Sequence, residues 1–197
     1  MTLRKNPLDS GKNVYASRAA LKLDSVAKKL DLHFKDQIVL DVGSSSGGFS
    51  DYALKNGAAK VIAVDKGTDQ MSPKVRFDPR LELHEKTDIR VFKPLERIDM
   101  LLIDVSFVPL RDILPSLLQN AINKDTQVIA VAKPQFETKD AKLKNHGVIK
   151  NERMRRLLLS GLETWLKQYF VIVDKADSKV SGTKGNRERF YKLKLIA

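Results

Sequence analysis

Cysteine is absent from the chain of 197 residues. This absence excludes a disulfide scaffold, a zinc site built on thiolates and any mechanism with a cysteine nucleophile. Long apolar runs are absent as well: no stretch approaches the roughly 18 consecutive apolar residues of a membrane span, and the amino terminus lacks the apolar core of a signal peptide. We therefore expect a cytoplasmic protein with no obligatory membrane association.

Acidic residues are few relative to basic ones. Lysine and arginine number 36 against 24 for aspartate and glutamate, which gives a net charge of +12 with neutral histidines. Such an excess favours a polyanionic partner, either nucleic acid or an anionic membrane surface. Because no predicted helix has the bulky apolar face of a membrane binder, nucleic acid is favoured. Aromatic residues make up only 7% of the chain, so recognition by shape is favoured over a platform of stacked bases.

Apolar residues make up 42% of the chain, enough for one core, and occur as short Val/Ile/Leu runs that alternate with helical stretches. Unbroken runs are typical of parallel strands buried on both faces, whereas the last run alternates as an antiparallel edge strand would. The pattern predicts an open, mostly parallel α/β sheet of seven strands with helices on both faces over residues 14–197, after a flexible basic arm at 1–13. The predicted strands are 37–42, 60–65, 81–84, 99–105, 127–132, 170–174 and 190–196. One predicted helix begins at Ser17, and three more cover 49–56, 109–121 and 151–168.

A glycine-rich turn, DVGSSSGGFSDYAL at 41–54, follows the first predicted strand. Such a turn at a helix N-terminus brings backbone N–H groups close to a ligand. The dinucleotide fingerprint G-x-G-x-x-G would need its middle glycine where Ser45 stands, and no Gly-Lys-Ser/Thr ends the turn as in a phosphate-binding P-loop. What remains is Asp41 followed by G-x-x-x-G-G, which fits S-adenosylmethionine better, with Asp41 facing its ammonium group. The alternative is a turn kept only for close helix–strand packing.

Further acidic residues follow the next two strands. Asp65 ends the second strand, where a carboxylate can accept both ribose hydroxyls of an adenosine ligand. Such an acid is common in nucleotide-binding folds and does not by itself select the cofactor. Asp88 after the third strand could accept from an adenine amino group, or could serve as a turn or capping residue. Together with Asp41, these acids predict a binding edge at the carboxyl ends of the strands.

Different methyl acceptors require different residues in a methyltransferase, so the sequence can be searched for each of them. Methylation of pyrimidine C5 needs a cysteine, and methylation of exocyclic amines usually shows a proline-rich turn where this chain has DVSF, from Asp104 to Phe107. A hydroxyl acceptor needs a base, and a lysine can serve when burial and neighbouring positive charge favour its neutral form. Lys133 ends the fifth strand beside the strand that ends in Asp104, so we expect the two side chains to meet. The alternative for Lys133 is a solvated surface residue.

Six segments carry a resemblance to a known family. Taken in order, they resemble the haemolysin-A (TlyA-type) branch of the FtsJ-like RNA ribose 2′-O-methyltransferases, from about residue 14 to the end of the chain. The resemblance implies a Rossmann-like class I S-adenosylmethionine-dependent methyltransferase fold and a ribosomal RNA substrate. The segments are SRAALKL (17–23), LDVGSSSGGFSDYAL (40–54), VIAVD (61–65), IDVSF (103–107), AKPQFE (132–137) and GTKGNRERF (182–190).

The resemblance also implies roles for individual residues. The Lys-Asp-Lys-Glu tetrad of the family falls on Lys22, Asp104, Lys133 and Glu188. Lys133 would accept the proton of the ribose 2′-hydroxyl, held by Asp104 and Glu188, while Lys22 would position the hydroxyl or stabilise negative charge. No metal is implied, and His33, His84 and His146 are interpreted as structural or surface residues. The implied cofactor contacts are Asp41, Gly43, Gly47, Phe49, Asp65, Asp88 and Asp104.

Two departures from the family pattern stand out. Relatives carry an N-terminal RNA-binding domain for which we expect no room here, and Asp88 occupies a position where asparagine is more usual. Basic clusters at 139–144, 150–156 and 179–189 could guide RNA phosphates to the site. The alternative functions are a non-catalytic RNA-binding or membrane-active, haemolysin-like protein and a nucleotide-dependent oxidoreductase.

Overall fold

The computed structural model describes residues 15–138, 147–182 and 184–196. The predicted arm at 1–13 and the basic cluster at 139–144 lie outside these residues. In the described part of the chain, seven strands alternate with five helices. The strands are β1 (Ile38–Val42), β2 (Lys60–Val64), β3 (Leu81–His84), β4 (Met100–Ile103), β5 (Gln127–Ala132), β6 (Phe170–Asp177) and β7 (Arg189–Leu195). The helices are α1 (Arg18–Ala27), α2 (Gly48–Lys55), α3 (Pro73–Arg76), α4 (Leu110–Asn120) and α5 (Glu152–Leu166).

The seven strands form one sheet in the order β3-β2-β1-β4-β5-β7-β6. The first five strands pair in parallel, and β7 is antiparallel to both β5 and β6. The predicted fold class is therefore confirmed, including the antiparallel last strand. The expectation that this last strand forms the edge is wrong, because β6 lies outside it. The alternating lysines suggested an edge, but Lys192 instead donates to the carbonyls of Leu30 and Asp31 just after α1, at 2.8 and 2.9 Å.

The sheet separates two apolar layers. Leu102 faces the layer of α1 and α2, while Leu101 and Ile103 face the layer of α4 and α5. All three side chains are fully buried. A strand covered on both faces shows no hydrophobic alternation, which is why β4 reads as a continuous apolar run.

Helix α1 packs closely on α2 because Gly48 has no side chain. A Cβ at Gly48 would lie 2.3 Å from Ser17 Oγ and 2.9 Å from the Ala20 backbone nitrogen. Asp51 of α2 also accepts a 2.7 Å hydrogen bond from the Ala16 backbone N–H. The packing interpretation of the glycine turn therefore applies to Gly48, and the packing holds α1 beside the carboxyl ends of the strands.

Helix α3 has no counterpart among the predicted helices. Its four residues are too few to show a helical period. The local signal is Ser72, whose hydroxyl accepts from the Lys74 N–H at 3.4 Å, followed by Pro73 at the first helical position.

Candidate active site

The carboxyl ends of β1, β4 and β5 open onto a cavity of about 260 Å³, which the loop before β7 closes on one side. Its lining contains the glycine turn of β1 and the residues that follow β4 and β5. The four predicted tetrad residues all line this cavity: Lys22, Asp104, Lys133 and Glu188.

Lys133 and Asp104 meet as the strand ends predict. Because β4 and β5 are parallel neighbours, the residues that follow them leave the sheet side by side. Lys133 Nζ lies 2.8 Å from Asp104 Oδ1 and donates to Ser106 Oγ at 2.8 Å. Only 7% of Lys133 is exposed, so it is not a solvated surface lysine. The pair places an amine and a carboxylate together in the cavity.

Glu188 forms the second ion pair, and its partner is Lys22. The Glu188 Oε2–Lys22 Nζ distance is 2.7 Å, and both side chains are nearly buried. The expectation that Glu188 holds Lys133 is therefore wrong. The reason is that α1 and the loop before β7 are fastened together, since Arg18 also donates to the Ser181 carbonyl at 2.8 Å.

Two glycines of the turn adopt φ near +81°, a conformation that L side chains rarely adopt. A Cβ at Gly43 would lie 3.1 Å from the Asp104 carbonyl oxygen, so the turn approaches the end of β4 closely. A Cβ at Gly47 would lie 2.2 Å from Met71 Sδ. Gly43 lines the cavity, whereas Gly47 is not part of the described cavity linings and serves the turn that starts α2.

Asp41 lies below the turn, fully buried within β1. Its Oδ2 accepts a 2.6 Å hydrogen bond from the Ser50 hydroxyl, while its Oδ1 has no donor among the described residues. Burial raises the pKa of the Asp41 carboxyl to about 7, despite the opposing hydrogen bond from Ser50. Ser44 Oγ, also buried in this lining, likewise has no partner in the described part. A carboxylate oxygen and a hydroxyl without partners among the described residues could bind the ammonium and the carboxylate of S-adenosylmethionine.

A second cavity of about 440 Å³ continues past Gly43 and Asp104, which line both cavities. Asp65 lies in its wall and accepts from the N–H groups of Ser45 and Gly67 at 2.8 and 2.6 Å. The carboxylate thus holds the glycine turn while it faces the cavity. The two adjoining cavities fit an elongated ligand with a charged end near Asp41 and a nucleoside near Asp65.

Asp88 lies in the second cavity with its carboxylate already engaged. Arg90 Nη2 lies 2.6 Å and Lys66 Nζ 2.9 Å from Asp88 Oδ2. The hydrogen bonds from Arg90, with a smaller contribution from Lys66, hold the pKa of the Asp88 carboxyl well below its usual range. A contact from Asp88 to adenine stays a prediction.

Aromatic residues contribute more to the site than the composition suggested. Phe49 lines the first cavity but is buried, with its ring 6.0 Å from that of Phe190. Phe107 is 65% exposed at the cavity, has φ of +68°, and lies 5.2 Å from the Phe136 ring. Phe107, Phe136 and Ser106 were missed as site residues, although they come two or three residues after the acid and the lysine of the predicted tetrad.

The basic clusters divide into two kinds of residue. Arg155 in the 150–156 cluster is only 3% exposed and pairs with Asp177 at 2.8 Å. Arg189 in the 179–189 cluster binds the same carboxylate at 2.7 Å. These arginines therefore bind Asp177 and stabilise α5 against the sheet, and the buried Arg155 is not available to RNA. Lys150 and Arg153, by contrast, are exposed just beyond the segment that contributes Gly147 to the cavity.

Two absences hold for residues 15–138, 147–182 and 184–196. No group of three or more histidine or acidic residues there is arranged to hold a metal ion, and no helix is both long and apolar enough to cross a membrane. His33 and His84 pair with acidic neighbours, and His146 lies outside the described residues.

Comparison with known proteins agrees with this architecture. The chain is 34% identical over 186 residues to the 23S rRNA (cytidine-2′-O)-methyltransferase TlyA of Campylobacter jejuni, covering 93% of this chain and 72% of that protein. It is 32% identical over 179 residues to Hemolysin A of Brachyspira hyodysenteriae, covering 88% and 74%. A solved hemolysin-named structure from Streptococcus thermophilus superposes with a TM-score of 0.86 at 32% identity, covering 95% of this chain and 69% of that one.

Several curated relatives match most of this chain. The chain spans about two thirds to three quarters of the length of these relatives. These relatives confirm the resemblance to the haemolysin-A branch. The model of the FtsJ-like methyltransferase family matches residues 15–195, from the first described residue to the end of β7. The protein therefore belongs to the FtsJ-like methyltransferase family.

Proposed function

We propose that the protein methylates a ribose 2′-hydroxyl of RNA, with ribosomal RNA as substrate, in the cytoplasm. The observation that carries the proposal is the pair of lysine–carboxylate contacts, Lys133–Asp104 and Lys22–Glu188, in one cavity beside the glycine turn. The name of the Campylobacter relative, a 2′-O-methyltransferase of ribosomal RNA, supports the choice of acceptor.

The family assignment makes S-adenosylmethionine the cofactor. When bound, it supplies a methyl group activated by a positively charged sulfur. Asp41 would hold its ammonium group, Gly43 would let the backbone approach it, and Asp65 would hold its ribose. The uncommitted Asp41 Oδ1 and Ser44 Oγ are the observations that support this placement.

Lys133 Nζ is the group that accepts the proton of the ribose hydroxyl. Asp104 then stabilises the ammonium that forms, since its Oδ1 lies 2.8 Å from Nζ. Ser106 Oγ, also at 2.8 Å, fixes the direction of the amine. Lys22 faces the same cavity and offers positive charge to the acceptor oxygen, while Glu188 holds Lys22. Positioning of this kind can supply several kcal/mol, up to about 7–11 for well-oriented partners.

Phe107 gives the cavity a surface for a nucleobase. Its exposed ring rests on Phe136 at the mouth, and a base stacked on an aromatic ring gains about 1–3 kcal/mol. A base held there would leave its own ribose near the lysine pairs.

The test of the proposed function is methyl transfer to ribosomal RNA taken from cells without this protein. We expect incorporation from S-adenosylmethionine, with the methyl group on a ribose, where it blocks alkaline cleavage at one site. Methylation found on a base, or none on ribosomal RNA, would contradict the proposal.

Loss of the Asp65 carboxylate should weaken cofactor binding. Each hydrogen bond to a charged group contributes about 1.5–3 kcal/mol, so Asp65→Ala should lower the affinity for S-adenosylmethionine at least tenfold in calorimetry. Asp125→Ala is the matched control, because it removes an exposed acid paired with Arg97 at the opposite end of the strands. Equal affinity for Asp65→Ala and wild type would remove Asp65 from the site.

The exposed cations beside the cavity should set the salt dependence of RNA binding. Each neutralised phosphate contributes a slope of about −0.7 to −0.9 to the log–log plot of affinity against salt. Reversing Lys150 and Arg153 to glutamate should flatten that slope by about one or two units without changing cofactor affinity.

A control with the same change of net charge is Lys93→Glu combined with Lys124→Glu, since both lysines are exposed near the opposite end of the strands. The control should leave the slope nearly as in wild type. Equal flattening in both double variants would show that net charge alone, and not this surface, governs binding.

A further inference from the structure

The loop between β6 and β7 carries Glu188 and is closed by its own backbone. Ser178 N–H donates to the Glu188 carbonyl at 2.9 Å, and Gly182 N–H donates to the Asn186 carbonyl at 2.9 Å. These bonds shape the loop but do not attach it to the other walls of the cavity. Side chains contribute to that attachment, among them Arg18, which donates to the Ser181 carbonyl, and Asn186.

Asn186 is 4% exposed and uses both halves of its side-chain amide. Its Oδ1 accepts from the Ile149 backbone N–H at 2.9 Å, and its Nδ2 donates to the Gly147 carbonyl at 3.0 Å. The side chain thereby pairs with the 147–149 segment as a neighbouring backbone would, with one donor and one acceptor. Aspartate of the same length has no donor for Gly147, so the chemistry of the contact requires the amide.

The same contact lies beside the second ion pair of the site. Gly147, Asn186 and Glu188 all line the first cavity. Gly182, across the loop, leaves room for the carboxylate, since a Cβ there would lie 2.6 Å from Glu188 Oε1. Glu188 is thus confined by the loop on one side and by Lys22 on the other.

We infer that Asn186 is a positioning residue for methyl transfer. Its amide fastens the 147–149 segment to the loop before β7, so that Glu188 is fixed and holds Lys22 inside the cavity. Asn186 acts through Glu188 and Lys22 and not on the substrate. The inference rests on the proposed function, because turnover is the property that the position of Lys22 affects.

The test compares Asn186→Ala and Asn186→Asp with wild type. We expect kcat at saturating RNA to fall about 10- to 100-fold in Asn186→Ala and less in Asn186→Asp, which keeps the acceptor for Ile149. The calorimetric affinity for S-adenosylmethionine should stay within about twofold, because the described hydrogen bonds of the Asn186 side chain go to Ile149 and Gly147 and not to Asp65 or the glycine turn. In a Glu188→Gln background, adding Asn186→Ala should lower kcat by less than a further factor of about two, because the effects of residues that act as a unit are not additive.

Asn123→Ala is the control for a merely structural loss. It removes an asparagine side chain that accepts from the Asp125 N–H at the opposite end of the strands, and should lower the melting temperature without lowering kcat. Hydrogen exchange adds a readout that needs no activity: the Ile149 amide should exchange faster in Asn186→Ala. If Asn186→Ala melts below the assay temperature, Asn186→Asp carries the comparison.

The inference is overturned if Asn186→Ala keeps wild-type kcat, or if it lowers kcat by the same factor with and without Glu188→Gln. Unchanged exchange of the Ile149 amide would likewise overturn it. A wild-type protein that does not methylate RNA would refute the proposed function, and the exchange rate would still decide whether the amide holds the segment.

Discussion

Replacing Lys133 by alanine is expected to lower methyl transfer to RNA by a factor of about 10²–10⁴, the contribution typical of a general base. The amine lies 2.8 Å from Asp104 inside the cavity, where it would meet the acceptor hydroxyl. Cofactor affinity should change little, because the acids assigned to the cofactor remain. Single-turnover transfer with saturating cofactor measures the chemical step directly.

Two further variants separate base chemistry from charge. Lys133→Arg should fail as well, since a guanidinium keeps its proton near neutral pH. Lys55→Ala removes a lysine paired with Asp51 at 3.0 Å outside the cavity and should leave transfer unchanged. Near-normal single-turnover transfer in either Lys133 variant would show that the general-base assignment is wrong.

Replacing Asp41 by asparagine is expected to stabilise the protein above pH 7. Burial raises the pKa of this carboxyl to about 7 from its ordinary value of 3.8. The unfolded chain therefore releases its proton first as the pH rises, so stability is lost between about pH 4 and 7 and the full penalty is present above 7. Three pKa units correspond to roughly 4 kcal/mol, the upper limit of the gain in Asp41→Asn.

Denaturant unfolding at pH 4, 6 and 8 measures this gain. Asp41→Asn keeps an acceptor for the Ser50 hydroxyl, so the two proteins should be similar at pH 4 and diverge as the pH rises. The exposed Asp125→Asn should follow wild type throughout. A constant difference between Asp41→Asn and wild type at all three pH values would contradict the assignment.

The same carboxyl should make cofactor binding depend on pH. If the ionised Asp41 pairs with the ammonium group, the affinity of wild type should rise about tenfold per pH unit up to about pH 7, below the range in which an α-amino group loses its proton. Asp41→Asn should bind more weakly and show no such rise. Parallel pH profiles for the two proteins would place Asp41 outside the cofactor contacts.

Local patterns in the sequence were sufficient for much of the fold. Continuous Val/Ile/Leu runs identified strands such as β4 and β5 because burial on both faces removes alternation. The glycine turn was recognisable because only glycine readily adopts the φ of +81° found at Gly43. Asp104 and Lys133 were predicted to meet because parallel neighbouring strands end at one edge.

The sequence by itself therefore determined the fold class, the antiparallel last strand, the glycine turn and the meeting of Asp104 with Lys133, whereas Lys22 and Glu188 were identified through the resemblance to the family. Only the tertiary structure decided that β7 lies inside the sheet, that Glu188 pairs with Lys22, and that Arg155 is buried against Asp177. The physical reason is that hydrophobic periodicity reports the burial of each residue within its own helix or strand. The residue that it contacts in the folded protein comes from a distant part of the chain, and no local pattern specifies that residue.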